Sequence, residues 1–328
     1  GGLEEDTDGA AIFCVVSSYA GLSKKGYAPY NPRKHNQDAL IMAEDASTGS
    51  LFLAVMDGHG EVGEKVAQAF RLRLVPAILD HPNWEASPEV AVAESISTIE
   101  QALLADSSVD TSLSGTTLVS VCVRGNKLVL TNVGDSRATL GRRRAAARDG
   151  EGGGKEGGSL VAQALTEDHK PDIPLEKERI LRAGGRVFSI KYSDGVDGPP
   201  RVWLQDVDVP GLAMSRTLGD VVAHTVGVTS DPDTYRCDLD DQDGVGGGGS
   251  AQEAALLILA TDGLWDYFLQ QEAVDIASRC SEPREAVHQL THEATNRWMK
   301  EEQVVDDITV CVAFLNGWTG GGVSQIEG

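Results

Sequence analysis

The sequence predicts an α+β fold in which antiparallel sheets are covered by helices. Three observations predict it: apolar, β-branched runs follow one another, helical periodicities are likewise grouped, and the alternation needed for a doubly wound parallel sheet is weak. The runs that read as strands are Ala11–Ser17, Asp38–Ala43, Ser50–Met56, Thr117–Val123, Lys127–Asn132, Leu256–Ala260 and Ile308–Leu315. Between the fourth and fifth of these, Gly125-Asn126 reads as a hairpin turn, because both residues tolerate positive φ.

Three segments read as helices. In Pro88 to Ala105, Val92, Ile96, Ile99 and Leu103 recur at helical spacing. Pro283 to Met299 places Val287, Leu290, Ala294 and Trp298 on one face, with Ser281 expected as the cap and Pro283 suited to the first turn. Glu61 to Leu79 is less regular and carries Pro76. The Gly-rich stretches Asp149–Gly158 and Gly244–Ser250 cannot bury apolar area and read as surface insertions. With flexible tails expected at 1–10 and 317–328, a single domain is expected over 11–316, since neither side of an insertion holds a complete set of elements.

Composition narrows the function. The 328 residues are 41% hydrophobic, enough for a sizeable core in one large domain. Fifty acidic residues against 28 basic give a formal charge of −22, which excludes nucleic-acid binding by a general basic surface. Such a surface also repels phosphorylated substrates, so any phosphate chemistry needs local positive charge from Arg, Lys or a bound metal. The five cysteines, Cys14, Cys122, Cys237, Cys280 and Cys311, form no C-x-x-C pair. Their scatter fits neither a disulfide framework nor a zinc site and points to a reducing compartment, cytoplasmic or nuclear. The longest apolar run, Ala254 to Ala260, is far too short to cross a bilayer, and no secretory signal is expected. With no heptad repeat or legible apolar patch, a monomer is the default expectation.

The strongest signal is a repeated junction between a strand and an aspartate. Leu51–Met56 leads into Asp57-Gly58-His59-Gly60, Leu256–Ala260 into Thr261-Asp262-Gly263, and Lys127–Val133 into Gly134-Asp135-Ser136. Asp306-Asp307 precedes Ile308, and Gln37-Asp38 precedes Ala39. Each alone is an ordinary turn or a solvated strand end. Together, carboxylates converging on one sheet edge would repel one another and raise their pKa values unless a cation neutralised them. Oxygen-only ligands suit Mg²⁺ or Mn²⁺ rather than zinc, and the glycine after Asp57 lets the backbone approach closely, so its carbonyl can also ligate.

At these residues the chain resembles the metal-dependent Ser/Thr protein phosphatases of the PPM family, type 2C. The resemblance runs from about Ser17 to Leu315 through ordered blocks: Arg33 with Asn36-Gln37-Asp38, Val55–Gly60, Ser114-Gly-Thr-Thr117, Val133–Ala138, Arg182–Gly185, Leu212–Asp220, Ala260–Asp266 and Asp306–Val310. It implies a four-layer αββα sandwich, two antiparallel sheets packed together with helices outside, and metals in a cleft at one edge. It implies that Asp57 bridges two Mg²⁺ or Mn²⁺ ions, that the Gly58 carbonyl binds one, that Asp262 and Asp307 hold the second, and that Asp38 binds through a metal-bound water. Asp135, with Asp262, would contact a third, weaker ion, with Asp266 near enough in sequence to assist. Arg33 would grip the substrate phosphate, a metal-bridging hydroxide would attack phosphorus directly, and His59 would protonate the leaving alkoxide. The implied partners are phosphoserine and phosphothreonine proteins.

One departure from the family pattern is Gln37, where an acidic residue is frequent. Its amide oxygen is expected to accept from a metal-bound water without adding charge. The alternative function is a catalytically weak, phosphatase-like scaffold or regulatory binding module. It is disfavoured because Asp57, Asp262, Asp307, Arg33 and His59 are all present. No Cys-x5-Arg loop and no EF-hand pattern occurs.

Simpler readings cover the remaining motifs. Lys34 and His35 read as solvated loop charges, and Arg137 and Asp220 as structural ion-pair members. His288 and His292 lack a third ligand. Trp203 and Trp265 read as packing residues, and Ser114–Thr117 as a strand-entry hydrogen-bonding motif. Arg142–Arg144 reads as solvated loop. Lys170–Asp220 corresponds to the family's flap, with an extra stretch at Ser189–Asp208 expected to help choose substrates.

Overall fold

The computed structural model describes residues 5–9, 15–143, 159–191, 197–239, 254–316 and 318. Both Gly-rich stretches, most of the tails, Arg144 and residues 11–14 of the first expected strand lie outside these. In chain order the strands are β1 Glu5–Gly9, β2 Val16–Lys24, β3 Ala39–Asp45, β4 Ser50–Met56, β5 Gly58–His59, β6 Gly115–Thr116, β7 Leu118–Arg124, β8 Lys127–Val133 and β9 Arg137–Arg143. They continue with β10 Leu160–Ala164, β11 Arg186–Lys191, β12 Asp197–Trp203, β13 Pro210–Leu212, β14 Leu218–Gly219, β15 Asp233–Asp238, β16 Ala254–Ala260 and β17 Ile308–Leu315. The helices are α1 Gly63–Leu79, α2 Pro88–Leu104, α3 Pro174–Arg182, α4 Val221–His224, α5 Asp262–Trp265, α6 Gln270–Ala277 and α7 Pro283–Glu301.

Two large sheets form the body. One runs β1-β2-β17-β16-β9-β10, the other β15-β8-β7-β4-β3, and their strand pairings are all antiparallel. The period-2 alternation of a strand explains the layers. Leu51, Leu53 and Val55 of β4, with Val119, Val121 and Val123 of β7, face Leu257 and Leu259 of β16 and Cys311 and Ala313 of β17 between the sheets. The alternate residues Leu256, Ile258, Val310, Val312 and Phe314 pack outward under α6 and α7. On the other side, Phe52, Ala54 and Met56 meet α1 and α2. Strands buried on both faces must be apolar throughout, which is why β4, β16 and β17 are legible as unbroken hydrophobic runs.

The α2 stripe is buried as its spacing requires: Val92, Ile96, Ile99 and Leu103 are each at most 4% exposed. Each such side chain contributes about 1.5–3 kcal/mol by leaving water. The hairpin forms with Arg124 opposite Lys127, and Gly125 is at φ +60° while Asn126 is not at positive φ. The residue expected to cap α7 does not do so. Glu282 occupies that position, and the backbone N–H and hydroxyl of Ser281 instead donate to the Glu285 carboxylate at 2.9 and 3.2 Å. Of the strand expected at Ala11–Ser17, Val16 and Ser17 open β2, which runs on to Lys24 through Ser18, Gly21 and Ser23. These small residues carry little apolar signal, yet Ser23 is 5% exposed and its hydroxyl accepts from Thr309 at 2.8 Å.

Within the flap, β11, β12 and β13 form a separate three-stranded sheet in which Trp203 stacks on Phe188, ring centroids 5.0 Å apart. Trp203 and Trp265 are both packing residues, each 6% exposed. Arg142 and Arg143 are not solvated loop: they end β9, where Arg142 donates to Gln163 at 2.6 Å and Arg143 lies over Trp318.

Candidate active site

The alternating grammar of strand-then-Asp and Asp-then-strand follows from antiparallel pairing. Ala39 is opposite Met56, so Asp38 at the start of β3 and Asp57 at the end of β4 flank one edge. Ala260 is opposite Val310, so Asp262 after β16 and Asp307 before β17 do the same in the other sheet. The two edges meet. Asp57 lies within the electrostatic reach of both Asp262 and Asp38. The turn after Asp57 requires glycine, because a Cβ on Gly58 would come within 2.4 Å of the Gln37 carbonyl oxygen and 2.6 Å of that of Gly63.

Burial and mutual repulsion dominate the electrostatics. Burial, then Asp262 and Asp38, hold the Asp57 carboxyl well above its usual range. Asp262 is pushed up by burial, then by Asp135 and Asp266. Asp38 is pushed up to about 8 by burial and by Asp307, although hydroxyl donors oppose the shift, including Thr261 at 3.0 Å. Asp307 is raised by burial against two backbone donors, Gly26 N–H to Oδ1 at 2.7 Å and Gln37 N–H to Oδ2 at 2.9 Å. Asp135 is 2% exposed, and Lys170 is bonded to its Oδ2. Asp266 caps one turn beyond Asp262 and lies exposed at the rim.

Three buried oxygens in this cluster, Asp38 Oδ1, Asp135 Oδ1 and Asp262 Oδ1, have no hydrogen-bond partner among the described residues. Among the described residues no three acidic, histidine or cysteine side chains are already drawn together closely enough to hold a metal. The carboxylates are spread instead onto hydroxyls, backbone N–H groups and the ammonium groups of Lys170 and Lys34. The donor set nonetheless fits divalent cations: all oxygen, buried, under mutual repulsion, and with unsatisfied lone pairs.

His59 lies beside this row. Its Nε2 is 2.6 Å from Asp220 Oδ2, and Asp220 is 1% exposed at φ +43°. Burial opposes charging of the imidazole, but Asp220 and then Asp135 outweigh it and raise its pKa. Asp220 is therefore more than a structural ion-pair member, because its partner is the candidate general acid. Arg137 does keep a structural role, forming a two-pronged pair with Asp168 at 2.8 Å for both contacts. Arg33 is exposed in the loop before Asp38 and makes no hydrogen bond or ion pair within the described residues.

The tertiary structure supplies partners for several of these residues. Lys34 is not solvated: its Nζ is 2.9 Å from Asp306 and 3.4 Å from Asp307. The Gln37 amide nitrogen donates to the Gly60 carbonyl at 2.8 Å and lies 3.3 Å from Glu64, so this side chain fastens the Asp57–Gly60 turn to α1. His169, unassigned from spacing, is 3% exposed; its Nδ1 accepts from Gly134 N–H at 3.0 Å and its Nε2 meets Asp233 at 3.0 Å. It thereby fixes the turn that carries Asp135. The Thr117 hydroxyl accepts from Asp57 N–H at 3.0 Å and lies 2.6 Å from the Ser136 hydroxyl, the hydrogen-bonding role expected of Ser114–Thr117. His292 is exposed on α7 and contacts Asn296, not a ligand set.

Comparison with known proteins agrees with the geometry. The family model described as Protein phosphatase 2C matches residues 31–302. "Probable protein phosphatase 2C 64" of Oryza sativa subsp. japonica is 36% identical over 292 residues, covering 86% of this chain and 63% of that protein. "Probable protein phosphatase 2C 35" of Arabidopsis thaliana is 29% identical over 314 residues, covering 90% and 83%. The chain thus spans a little under two thirds of the first relative and more of the second. The crystal structure of serine-threonine phosphatase 2C from Toxoplasma gondii superposes with a TM-score of 0.73 at 21% identity, covering 96% of this chain and all of that one, which shows the shared fold. The chain belongs to the protein phosphatase 2C family, the metal-dependent Ser/Thr protein phosphatases.

Proposed function

We propose that this chain hydrolyses phosphoserine and phosphothreonine esters of proteins, with the aspartate row as its cation site and Arg33 and His59 acting on substrate. The observation that carries the assignment is the set of three buried carboxylate oxygens, on Asp38, Asp135 and Asp262, without a partner among the described residues, with burial and like charge raising the pKa values of Asp38 and Asp262. Asp57, the Gly58 carbonyl, Asp262 and Asp307 would hold two Mg²⁺ or Mn²⁺ ions, with Asp38 in support and Asp135 with Asp262 forming a third, weaker position. When bound, these cations supply Lewis acidity and an activated water at neutral pH.

The chain's own residues supply the rest. Arg33, unpaired and exposed, offers a planar fork to two phosphoryl oxygens, a geometry that lysine cannot match. It is also a source of attraction for an anion approaching a protein of charge −22. His59, held by Asp220 and favoured in its charged form, gives its proton to the departing serine or threonine alkoxide. Thr117 and the glycine turn keep Asp57 in one orientation. Among the described residues Cys122, Cys237, Cys280 and Cys311 form no disulfide with one another, which supports a reducing compartment, and a monomer is the proposed working state.

The test is phosphate release from a phosphothreonine peptide with Mn²⁺ or Mg²⁺, against EDTA, with Asp57→Asn alongside. Metal-dependent release that the substitution abolishes supports the assignment. A folded protein inactive at millimolar Mn²⁺ overturns it.

A further inference from the structure

The loop that carries Arg33 is built to present more than an arginine. Its ends are closed by one carboxylate: Asp307 takes the Gly26 N–H on Oδ1 and the Gln37 N–H on Oδ2, and Lys34 pairs with Asp306 and Asp307 from within the loop. Between these anchors the backbone makes two consecutive β-turns sharing Asn31. Asn31 N–H donates to the Ala28 carbonyl and Lys34 N–H to the Asn31 carbonyl, each at 3.0 Å. Pro29 and Pro32 occupy the second position of their turns, where a fixed φ of about −65° is preferred. Tyr30 and Arg33 therefore hold the same third position in successive turns.

Their exposure matches that equivalence. Tyr30 is 83% exposed, Tyr27 three residues earlier is 52% exposed, and Arg33 is exposed. Neither Tyr30 nor Arg33 makes a hydrogen bond or ion pair within the described residues. A large ring left in water on a loop pinned to the aspartate row, in a chain only 5% aromatic, is available to cover apolar surface on whatever Arg33 holds.

We propose that Tyr30 is a specificity-determining residue that packs on an apolar side chain close to the phosphoresidue of an extended protein substrate, with Tyr27 extending the same row. The inference rests on the phosphatase reading above. Arg33 selects the phosphate, which every substrate shares; Tyr30 distinguishes substrates by their flank. A flat ring on a doubly anchored loop loses little conformational freedom on contact, so its apolar area converts into affinity efficiently.

The experiment uses the full chain with Mn²⁺ and three substrates: a phosphothreonine peptide with leucines flanking the phosphoresidue, the same peptide with glycines, and p-nitrophenyl phosphate, which has no flank. Tyr30→Ala, Tyr30→Phe and, as a same-chemistry control on the outer edge strand, Tyr235→Ala are compared. The wild type is expected to prefer the leucine peptide. Tyr30→Ala should raise KM for that peptide about fivefold, as expected for losing part of one apolar contact, and erase its advantage over the glycine peptide. Tyr30→Phe should keep the preference and Tyr235→Ala should leave it unaltered. Equal KM values for the two peptides in the wild type, or Tyr30→Ala slowing all three substrates by one factor, would overturn the inference while leaving the phosphatase assignment intact. A wild type inactive on all three substrates overturns both.

Discussion

The two ends of the aspartate row are finished differently. At one end Asp307 is fixed by two backbone N–H groups, with Lys34 beside it. At the other, Asp135 is held at Oδ2 by Lys170 of the flap, while its Oδ1 is buried without a partner. Each end carries a lysine against a carboxylate. Only the first is also set by the main chain. Backbone donors orient a ligand at no side-chain entropy cost, whereas a lysine holds its partner as a mobile point charge. For the cation sites proposed above, the difference would make the position around Asp57 and Asp307 preorganised and the one at Asp135 looser, since Lys170 already occupies Asp135 Oδ2.

The sharpest way to break that comparison is to remove one carboxylate at a time. Changes to outer-shell partners typically cost about 10–100-fold, so removing an orienting ligand costs more. Asp307→Asn is therefore expected to lower kcat/KM on a phosphopeptide by more than ~100-fold, and Asp135→Asn by roughly tenfold. Equal losses would show that the two ends are not distinct.

The looser end depends on a network behind it. The Glu176 carboxylate accepts from Arg179 at 2.7 and 2.9 Å and from the Ser215 hydroxyl at 2.6 Å. Arg216 bonds both Glu176 at 2.9 Å and Asp233 at 2.7 Å, and Asp233 in turn meets His169, which holds Gly134. Burial would raise the Glu176 pKa, but these donors outweigh it and bring it down to about 2. A depressed carboxyl pKa stabilises the fold above the unfolded value and loses that contribution as pH falls towards 2. Glu176→Gln should cost roughly 3 kcal/mol at neutral pH in a denaturant titration, with the difference shrinking below about pH 4.

The aspartate row has the opposite sign. Asp38, raised to about 8, binds more protons folded than unfolded between about pH 4 and 8, so stability falls as pH rises through that window. A thermal melt in EDTA should lose on the order of ten degrees across it, at about 2–4 °C per kcal/mol for a chain of this class. Saturating Mn²⁺ should remove most of the loss, because cations bind only the folded state. The smallest expected effect concerns the lysines. Lys170→Met should tighten the weakest Mn²⁺ site about tenfold by calorimetry, well within the Coulomb energy of a close pair. Lys34→Met should change metal affinity less, since two backbone donors keep Asp307 in place.

Much of this was legible because it is local. A strand buried on both faces must be continuously apolar, so β4, β16 and β17 and the aspartates at their ends stand out along the chain. The α2 stripe and the Gly125 hairpin are equally short-range. The extension of β2 to Lys24 was not legible because it is built largely from small and polar residues, and the strands of the flap were not legible because they are half-exposed and interrupted by Pro199 and Pro200.

The sequence by itself determined the antiparallel, helix-covered class and the identity of the carboxylates, since periodicity and strand-end chemistry are written within a few residues. Only the tertiary structure decided what each carboxylate meets. Asp220 reaches His59 across 161 positions, Lys34 reaches Asp306 across 272, and Gly26 reaches Asp307 across 281. No local pattern encodes those pairings, because a contact between distant residues depends on where the chain brings them together and not on what lies beside either residue in the sequence.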